Sequence, residues 1–135
     1  RSMAMSFVIT GVPHAVCVVP SLKDVDVEKT GQAIRTHEYF HPRGTNANFI
    51  QFQLGNAIEI RTYERGVEGE TLSCGTGSTA GALVAAAARS LKSPVSVKTK
   101  SGETLKIYFS KDGERFYDVY LEGPVQTCFE GRVML

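Results

Sequence analysis

A long run of small and apolar residues lies just past the middle of the chain. From Gly75 to Ala88 there is no charged side chain, and most positions are Ala, Gly, Ser or Thr. A helix over residues 76–91 would have no polar stripe, so it must be surrounded by protein rather than lie on a surface. Small side chains let neighbouring backbone approach closely. The pattern therefore predicts a helix enclosed by strands, and Pro94 prevents its continuation.

Short apolar or alternating runs on both sides of this helix predict strands. Residues 49–54 and 57–63 alternate between apolar and polar positions, and Gly55-Asn56 between them predicts a hairpin with a two-residue connection. The continuous apolar run at residues 15–20 is typical of a strand that is buried on both faces. The other runs with strand character are residues 6–10, 95–100, 104–110, 116–122 and 125–129.

One further helix is predicted before the hairpin. Val27, Ala33, Ile34 and His37 fall at helical spacing with charged residues opposite them, which favours a surface helix over residues 27–39. Residues 41–48 are rich in turn formers and amides, so they are predicted to form a loop. With no tandem repeat and no linker, the pattern predicts a single α+β domain of about eight strands, one surface helix and one enclosed helix.

Composition and charge narrow the functional class. The chain has 135 residues, of which 42% are hydrophobic and 21% charged, as in a globular domain. The net charge is +1 and the basic residues are scattered, which argues against a nucleic-acid or membrane surface. Three cysteines without a CxxC spacing disfavour a disulfide framework and a zinc site, and they favour a reducing cytoplasm. The apolar run is too short to cross a bilayer.

Cys74 is the strongest candidate for chemistry. It stands directly before Gly75-Thr76-Gly77, where a helix begins and where about four backbone N–H groups have no partner within the helix. These donors and the positive end of the helix dipole form a site for a carboxylate or a phosphate. A thiolate is favoured at the same place. Cys17 and Cys128 lie in predicted apolar strands and are interpreted as structural.

For several polar residues the sequence allows both a structural and a functional interpretation. Glu64 and Arg65 are either an exposed ion pair or contacts for a substrate ammonium and carboxylate. His14 is either a proton-transfer partner or a structural histidine at a turn. Asn46 and Asn48 either build their own turn or hold a substrate. No spacing of metal ligands, no P-loop and no dinucleotide fingerprint is present, so no metal and no cofactor is expected.

Four sequence blocks together resemble, in order and spacing, the C-terminal half of diaminopimelate epimerase. They are Gly11-Val12-Pro13-His14, residues 44–49 (GTNANF), residues 62–71 (TYERGVEGET) and Ser73-Cys74-Gly75-Thr76-Gly77. The resemblance implies a cofactor-independent amino-acid epimerase that interconverts LL- and meso-diaminopimelate for lysine and cell-wall synthesis. It also implies a mostly antiparallel sheet wrapped around a central buried helix, in agreement with the enclosed helix predicted above.

The same resemblance implies roles for individual residues. Cys74 would be one of two cysteines that exchange the α-proton across opposite faces of the substrate carbon. The backbone of Gly75 and Thr76 would hold the α-carboxylate, and His14 and Glu64 would tune the protonation of the thiols.

Asn46, Glu64 and Arg65 would contact the rest of the substrate. Val12 stands where many family members carry Asn, so one amide contact is missing or is supplied elsewhere.

The resemblance covers only the second of two similar halves. The first half, which has its own cysteine and helix start, is absent, and neither Cys17 nor Cys128 stands in a Cys-Gly context. Residues 1–5 have the character of a cloning remnant with an internal methionine. We therefore expect residues 6–135 to be one domain of a longer cytoplasmic enzyme, a homodimer in its full-length form. Alone, the chain should not epimerise.

Three other functions compete with this one. Racemases of proline or hydroxyproline carry a similar Cys-Gly-Thr-Gly at a helix start. A thiol hydrolase could use Cys74 with His14. A non-catalytic domain could bind carboxylates at the helix N-terminus without using the thiol.

Overall fold

One eight-stranded sheet forms the body of the protein in a computed structural model that describes residues 2–135. Two α-helices pack against it, α1 (Val27–Arg35) and α2 (Gly75–Arg89), and two short 3₁₀ helices cover residues 22–24 and 38–40. The strands are β1 (Ser6–Ile9), β2 (Pro13–Val18), β3 (Asn46–Gln53), β4 (Ala57–Glu64), β5 (Gly69–Thr71), β6 (Val95–Lys98), β7 (Thr104–Asp112) and β8 (Arg115–Glu122).

The sheet is mostly antiparallel, as the resemblance implied. Its order is β1-β2-β3-β4-β6-β7-β8, and the short β5 pairs with β4 beside the main path. Within the described residues only β2–β3 and β4–β6 are parallel, and each of these pairs is connected through a helix. The predicted hairpin is β3–β4, but Gln53 pairs with Ala57, so its connection has one residue more than expected.

The enclosed helix is confirmed as α2. Its side chains from Gly77 to Ala86 are buried except the half-buried Thr79, and it contacts β1, β2, β3, β4, β6, β7 and β8. A Cβ at Gly81 would lie 3.0–3.4 Å from isoleucine side chains of β3 and β4. Small residues therefore let the sheet close around this helix. Ala87 and Ala88, near its C-terminal end, are exposed.

The other face of the sheet holds α1. A second buried cluster, with Phe49 and Tyr63 from the sheet and Val27 and Ile34 from α1, fills this layer. The central strands β2 to β4 are thus covered on both sides. This double burial explains the continuous apolar run of β2, since neither face of that strand needs polar residues.

Two predicted boundaries in the first half of the chain are wrong. The surface helix ends at Arg35 rather than residue 39, and His37 lies outside it. The His37 side chain accepts a hydrogen bond from the Tyr39 N–H and so caps the following 3₁₀ helix. The predicted loop at residues 41–48 is also too long, because Asn46 and Asn48 are part of β3.

The predicted strand at residues 125–129 is absent, and residues 123–135 have no regular secondary structure. Val125 and Phe129 are 97% and 87% exposed, and these residues pair with no strand in the described part of the chain. An apolar run becomes a strand only where an edge accepts its hydrogen bonds and a surface covers its side chains. Cys128 is accordingly exposed, which is contrary to the prediction that it lies in a strand.

No helix among residues 2–135 combines the length and the apolar character that crossing a membrane requires.

Candidate functional site

Cys74 is the N-cap residue, immediately before α2. Its backbone is extended (φ −140°, ψ 110°), and the first backbone hydrogen bond of the helix runs from Ser78 N–H to Cys74 O at 2.8 Å. The N–H groups of residues 75–77 therefore precede the helical ladder. Cys74 is half-buried, and Gly75 and Thr76 are exposed, so the thiol and these donors face an accessible surface.

Gly77 lets two other groups approach the first turn of α2. A Cβ at this position would lie 2.5 Å from Asn48 Nδ2 and 3.2 Å from Cys74 Sγ. Any side chain at position 77 would therefore displace the Asn48 amide, the thiol or both. The sequence placed this glycine only at the start of the helix, whereas its main contribution is the space that it leaves.

Three polar side chains face the start of α2 from neighbouring strands. His14 of β2, Asn48 of β3 and Thr62 of β4 are at most 4% exposed. His14 Nδ1 and Asn48 Oδ1 are 2.8 Å apart, and Asn48 Nδ2 donates to Thr62 Oγ1 at 2.7 Å. His14 Nε2 lies 2.9 Å from Thr76 Oγ1, which in turn lies 3.6 Å from Cys74 Sγ. The hydroxyl of Thr76 thus stands between the imidazole and the thiol.

The electrostatic surroundings of His14 favour its neutral form. Burial lowers the pKa of His14 below its usual value of 6.5 and outweighs the opposing effect of the hydrogen bond to Asn48 Oδ1. The charge of Glu64 raises this pKa and the charge of Arg65 lowers it, so their effects oppose each other. His14 lies in β2 rather than in the turn where the sequence placed it.

Asn46 joins β2 to the turn after β4. Its Nδ2 donates to Pro13 O at 2.9 Å, and its Oδ1 accepts from the Arg65 N–H at 2.7 Å. The Arg65 guanidinium lies 3.3 Å from Arg43 O and 3.5 Å from Gly44 O. Asn46 is 4% exposed, so its first effect is to fix the backbone that carries Arg65.

Glu64, the last residue of β4, is half-buried. No ion pair joins it to Arg65 among residues 2–135, so the simpler interpretation of this dipeptide as a surface ion pair is wrong.

The turn between β1 and β2 also reaches the helix start. Thr10 Oγ1 donates to Thr76 O at 2.9 Å, and Thr10 N–H donates to Val12 O at 3.1 Å. Val12, where many members of the resembled family carry Asn, is half-buried beside this contact.

An ion cluster that the sequence did not predict holds the segment before Cys74. Arg61 binds both carboxylate oxygens of Glu70, at 2.7 and 2.8 Å, and Lys100 Nζ lies 2.8 Å from the same carboxylate. Burial raises the pKa of Glu70, but the hydrogen bonds from Arg61 and Lys100 outweigh it and hold the pKa below its usual value. The Ser101 N–H donates to Leu72 O at 3.0 Å. These contacts fix the path from β5 to the thiol.

Two open grooves lie beside α2, where the wrapped sheet leaves a gap between β1 and β8. One has a volume of about 440 Å³ and is lined by Thr79, Leu83 and apolar side chains of β1 and β8. The second continues past Ala87 and Ala88. Cys74 is not among the residues that line these two grooves.

Within residues 2–135 no three His, Cys, Asp or Glu side chains come close enough together to hold a metal ion.

The family of the chain follows from comparison with known sequences. A sequence model described as diaminopimelate epimerase matches residues 6–128. The chain belongs to the diaminopimelate epimerase family. It is 52% identical over 128 residues to the diaminopimelate epimerase of Aquifex aeolicus, covering 94% of this chain and 45% of that protein. The diaminopimelate epimerase of Chlorobaculum tepidum is 45% identical over 130 residues, which cover 96% of this chain and 49% of the relative. The chain therefore spans about half the length of these relatives.

Solved structures of low sequence identity share the fold. A predicted epimerase of Pseudomonas aeruginosa matches with a TM-score of 0.57 at 17% identity, covering 78% of this chain and 35% of that one. A probable proline racemase of Agrobacterium radiobacter K84 matches with a TM-score of 0.52 at 17% identity, covering 88% of this chain and 40% of the other. At this level of identity the likeness establishes the architecture alone.

Proposed function

We propose that the chain is one half of a cofactor-independent epimerase that interconverts LL- and meso-diaminopimelate. The observation that carries the proposal is the half-buried thiol of Cys74 beside the N–H groups of residues 75–77, which make no hydrogen bond within the helix. Membership of the diaminopimelate epimerase family supports the choice of substrate. The lysine pathway, a cytoplasmic location and a homodimer belong to the same proposal.

The helix start supplies the electrostatic part of the reaction. Removal of the α-proton moves negative charge onto the substrate carboxylate, and fixed N–H donors stabilise that charge more strongly than they stabilise the ground state. A single such donor commonly contributes about 3 kcal/mol to a transition state. Gly75 and Thr76 would provide these donors because their backbone precedes the helical hydrogen bonds.

Inversion needs a second proton-transfer group on the opposite face of the substrate carbon. A single thiolate returns the proton to the face from which it took it, so a second acid must deliver a proton to the opposite face. Cys17 is fully buried, and burial raises the pKa of its thiol to about 11. Cys128 is exposed on the C-terminal segment. We therefore assign the second thiol to a part of the enzyme outside residues 6–135, and the chain alone should be inactive.

Asn46, Glu64 and Arg65 would bind the remainder of the amino acid. Asn46 fixes the Arg65 backbone, and the guanidinium of Arg65 suits a carboxylate because it donates in a planar fork. Glu64 would accept a hydrogen bond from a substrate ammonium. His14 and Glu64 would together tune the protonation of the thiols, and His14 would act through Thr76.

The decisive experiment joins the N-terminal half of the Aquifex aeolicus relative to residues 6–135 and measures α-deuterium incorporation from D₂O into LL-diaminopimelate. We expect exchange in the joined protein and none in the isolated chain. Cys74→Ser should reduce the rate by about a thousandfold, the middle of the range for loss of a positioned acid or base. Cys128→Ser is the matched control and should retain exchange. Equal rates in these two variants would overturn the role of Cys74.

The same assay separates the competing functions. Exchange of proline but not diaminopimelate would identify a racemase of the proline type. Bond cleavage without deuterium incorporation would identify a thiol hydrolase, although the His14 imidazole contacts Thr76 rather than the thiol. Binding of diaminopimelate without any turnover, unaffected by Cys74→Ser, would identify a carboxylate-binding domain.

A further inference from the structure

We propose that Asn48 is a positioning residue that fixes the tautomer of His14, and that the hydroxyl of Thr76 carries protons between His14 and Cys74. This inference rests on the proposed function, because it assigns how the thiol of the epimerase site is deprotonated and reprotonated. The observation behind it is a continuous hydrogen-bonded row from Thr62 on β4 to Cys74 at the start of α2.

The direction of the first bonds follows from the Asn48 amide. Asn48 Nδ2 is a donor only, and it is used on Thr62 Oγ1 at 2.7 Å. Asn48 Oδ1 is an acceptor only, so the His14 ring must donate to it from Nδ1 across 2.8 Å. In its neutral form, His14 then has no proton on Nε2, and this nitrogen is an acceptor.

The remaining bonds are then determined in sequence. The Thr76 hydroxyl has a single proton, and it must donate that proton to His14 Nε2 at 2.9 Å. Towards Cys74 the same oxygen can only accept, so the thiol donates its proton across 3.6 Å. The resting arrangement is a neutral thiol, a neutral imidazole and a hydroxyl between them.

Proton transfer along this row is balanced without any further reactant. The Cys74 S–H bond breaks as an O–H bond forms at Thr76, and the original Thr76 proton moves to His14 Nε2. The products are a thiolate and an imidazolium, and the reverse steps restore the thiol. Burial of His14 disfavours the imidazolium, while the Asn48 carbonyl and the charge of Glu64 favour it and Arg65 opposes it.

The packing shows why Asn48 can occupy this position. Its amide lies against the first turn of α2 at the space left by Gly77, and it is fully buried. With His14 protonated on Nδ1, a rotated Asn48 amide would place its NH₂ group against the His14 N–H, donor against donor, so this tautomer and this orientation of the amide support each other. Asn48 therefore acts on Cys74 through His14 and Thr76.

The first test measures the tautomer directly in the 135-residue chain. The ¹⁵N chemical shifts of His14 should report a protonated Nδ1 and an unprotonated Nε2 at neutral pH. In Asn48→Ala the Nδ1 preference should be lost while the rest of the amide spectrum is retained. A protonated Nε2 in the unmodified chain would overturn the assignment.

The second test uses the rate of Cys74 alkylation by iodoacetamide at pH 7, read by peptide mass so that Cys17 and Cys128 do not interfere. Asn48→Asp should favour the imidazolium, which then donates to Thr76 and leaves the Thr76 proton for the Cys74 thiolate. We expect alkylation about fivefold faster, the equivalent of one hydrogen bond. A carboxylate acting on the thiol only through space would instead slow the reaction.

Thr76→Val supplies the control, because Thr76 is exposed and valine keeps its shape. In this background Asn48→Asp should change the alkylation rate by less than about twofold, whereas Thr76→Ser should preserve the full effect. An undiminished effect in Thr76→Val would overturn the relay. Neither test uses substrate, so the relay can fail while deuterium exchange still supports the epimerase, and the converse is equally visible.

Discussion

At the scale of single residues, the site depends on where buried polar groups find partners. His14 is fully buried, and each ring nitrogen is within hydrogen-bonding distance of one side chain, Asn48 or Thr76. Such a group is stable in the neutral form, because charging it in this environment would cost solvation that one amide and one hydroxyl do not replace.

This burial makes stability depend on pH. The folded pKa of His14 is below the unfolded value of about 6.5, so the unfolded chain binds more protons between these two values. We expect the free energy of unfolding to rise as pH increases through this window. The contribution of His14 should reach its full value above pH 6.5. Urea titrations of the chain and of His14→Gln should show this slope only in the former. The same slope in both proteins would contradict the prediction.

The sequence predicts the part of the site that is local in the chain. Cys74, Gly75 and Thr76 are adjacent, and their role at a helix start follows from their order alone. Asn48 could not be assigned in the same way, because its contacts with His14 and Thr62 depend on how three strands align. A signal was present nonetheless: the alternation of β3, continued back from Ile50, places Asn48 on the face that meets α2.

At the scale of elements, the sheet is fixed by close helix contacts and by one ion cluster. Most strands and both α-helices were predictable because each has its own periodicity. Helix α1 ends early because Thr36 leaves the helical conformation and His37 caps a new turn. Strand β5 has only three residues, and its hydrogen bonds to β4 define it rather than any hydrophobic pattern.

Gly31 provides a test of the contact between α1 and β4. A Cβ on Gly31 would overlap the Cβ of Tyr63, an atom that cannot move without the strand. Gly31→Ala should therefore destabilise the fold by about 2 kcal/mol, in spite of the better helix propensity of alanine. Gly69→Ala is the control, since its nearest neighbour is the Glu28 carboxylate at 3.8 Å. Thermal unfolding of both variants would decide, and equal melting temperatures would refute the close contact.

Glu70 provides a second test at this scale. Its carboxylate is 5% exposed and binds Arg61 and Lys100, so Glu70→Gln would leave two cations with a poorer partner. We expect a loss of about 3 kcal/mol at neutral pH, and less in acid because the native carboxylate is protonated there. The exposed pair of Glu122 and Lys106, 3.9 Å apart, is the control, and Glu122→Gln should cost under about 1 kcal/mol. Urea unfolding at pH 7 measures both, and similar losses would contradict the role of the cluster.

At the scale of the whole molecule, the two hydrophobic layers are separate from the C-terminal segment. One layer surrounds α2 and the other lies under α1, and neither includes a residue beyond β8. Sequence pattern could not reveal this, because Val125 to Phe129 has the composition of a strand and only the absence of a partner distinguishes it. Pairing is a property of the folded molecule and not of the segment.

Removal of residues 124–135 should therefore leave the melting temperature within about 1 °C of the original value, as expected when no buried contact is lost. Val125, Phe129, Val133, Met134 and Leu135 are all at least 85% exposed, so the shortened chain should also associate less with itself. Calorimetry and light scattering on both lengths test these outcomes. A marked fall in melting temperature would show that the segment packs against the domain.

The space at Gly77 has a consequence for how this chain can vary. The Asn48 amide occupies the volume that a methyl group at position 77 would fill, whereas the Cys74 thiol, 3.2 Å from that methyl group, would be only in tight contact with it. Substitutions at 48 and 77 should therefore compensate: alanine at 77, harmful with Asn48 in place, should become tolerable once position 48 is glycine. These two positions are distant in the chain, yet substitutions at them should occur together among related sequences. Such correlated substitutions would reveal the close contact at the first turn of α2 from sequence alone.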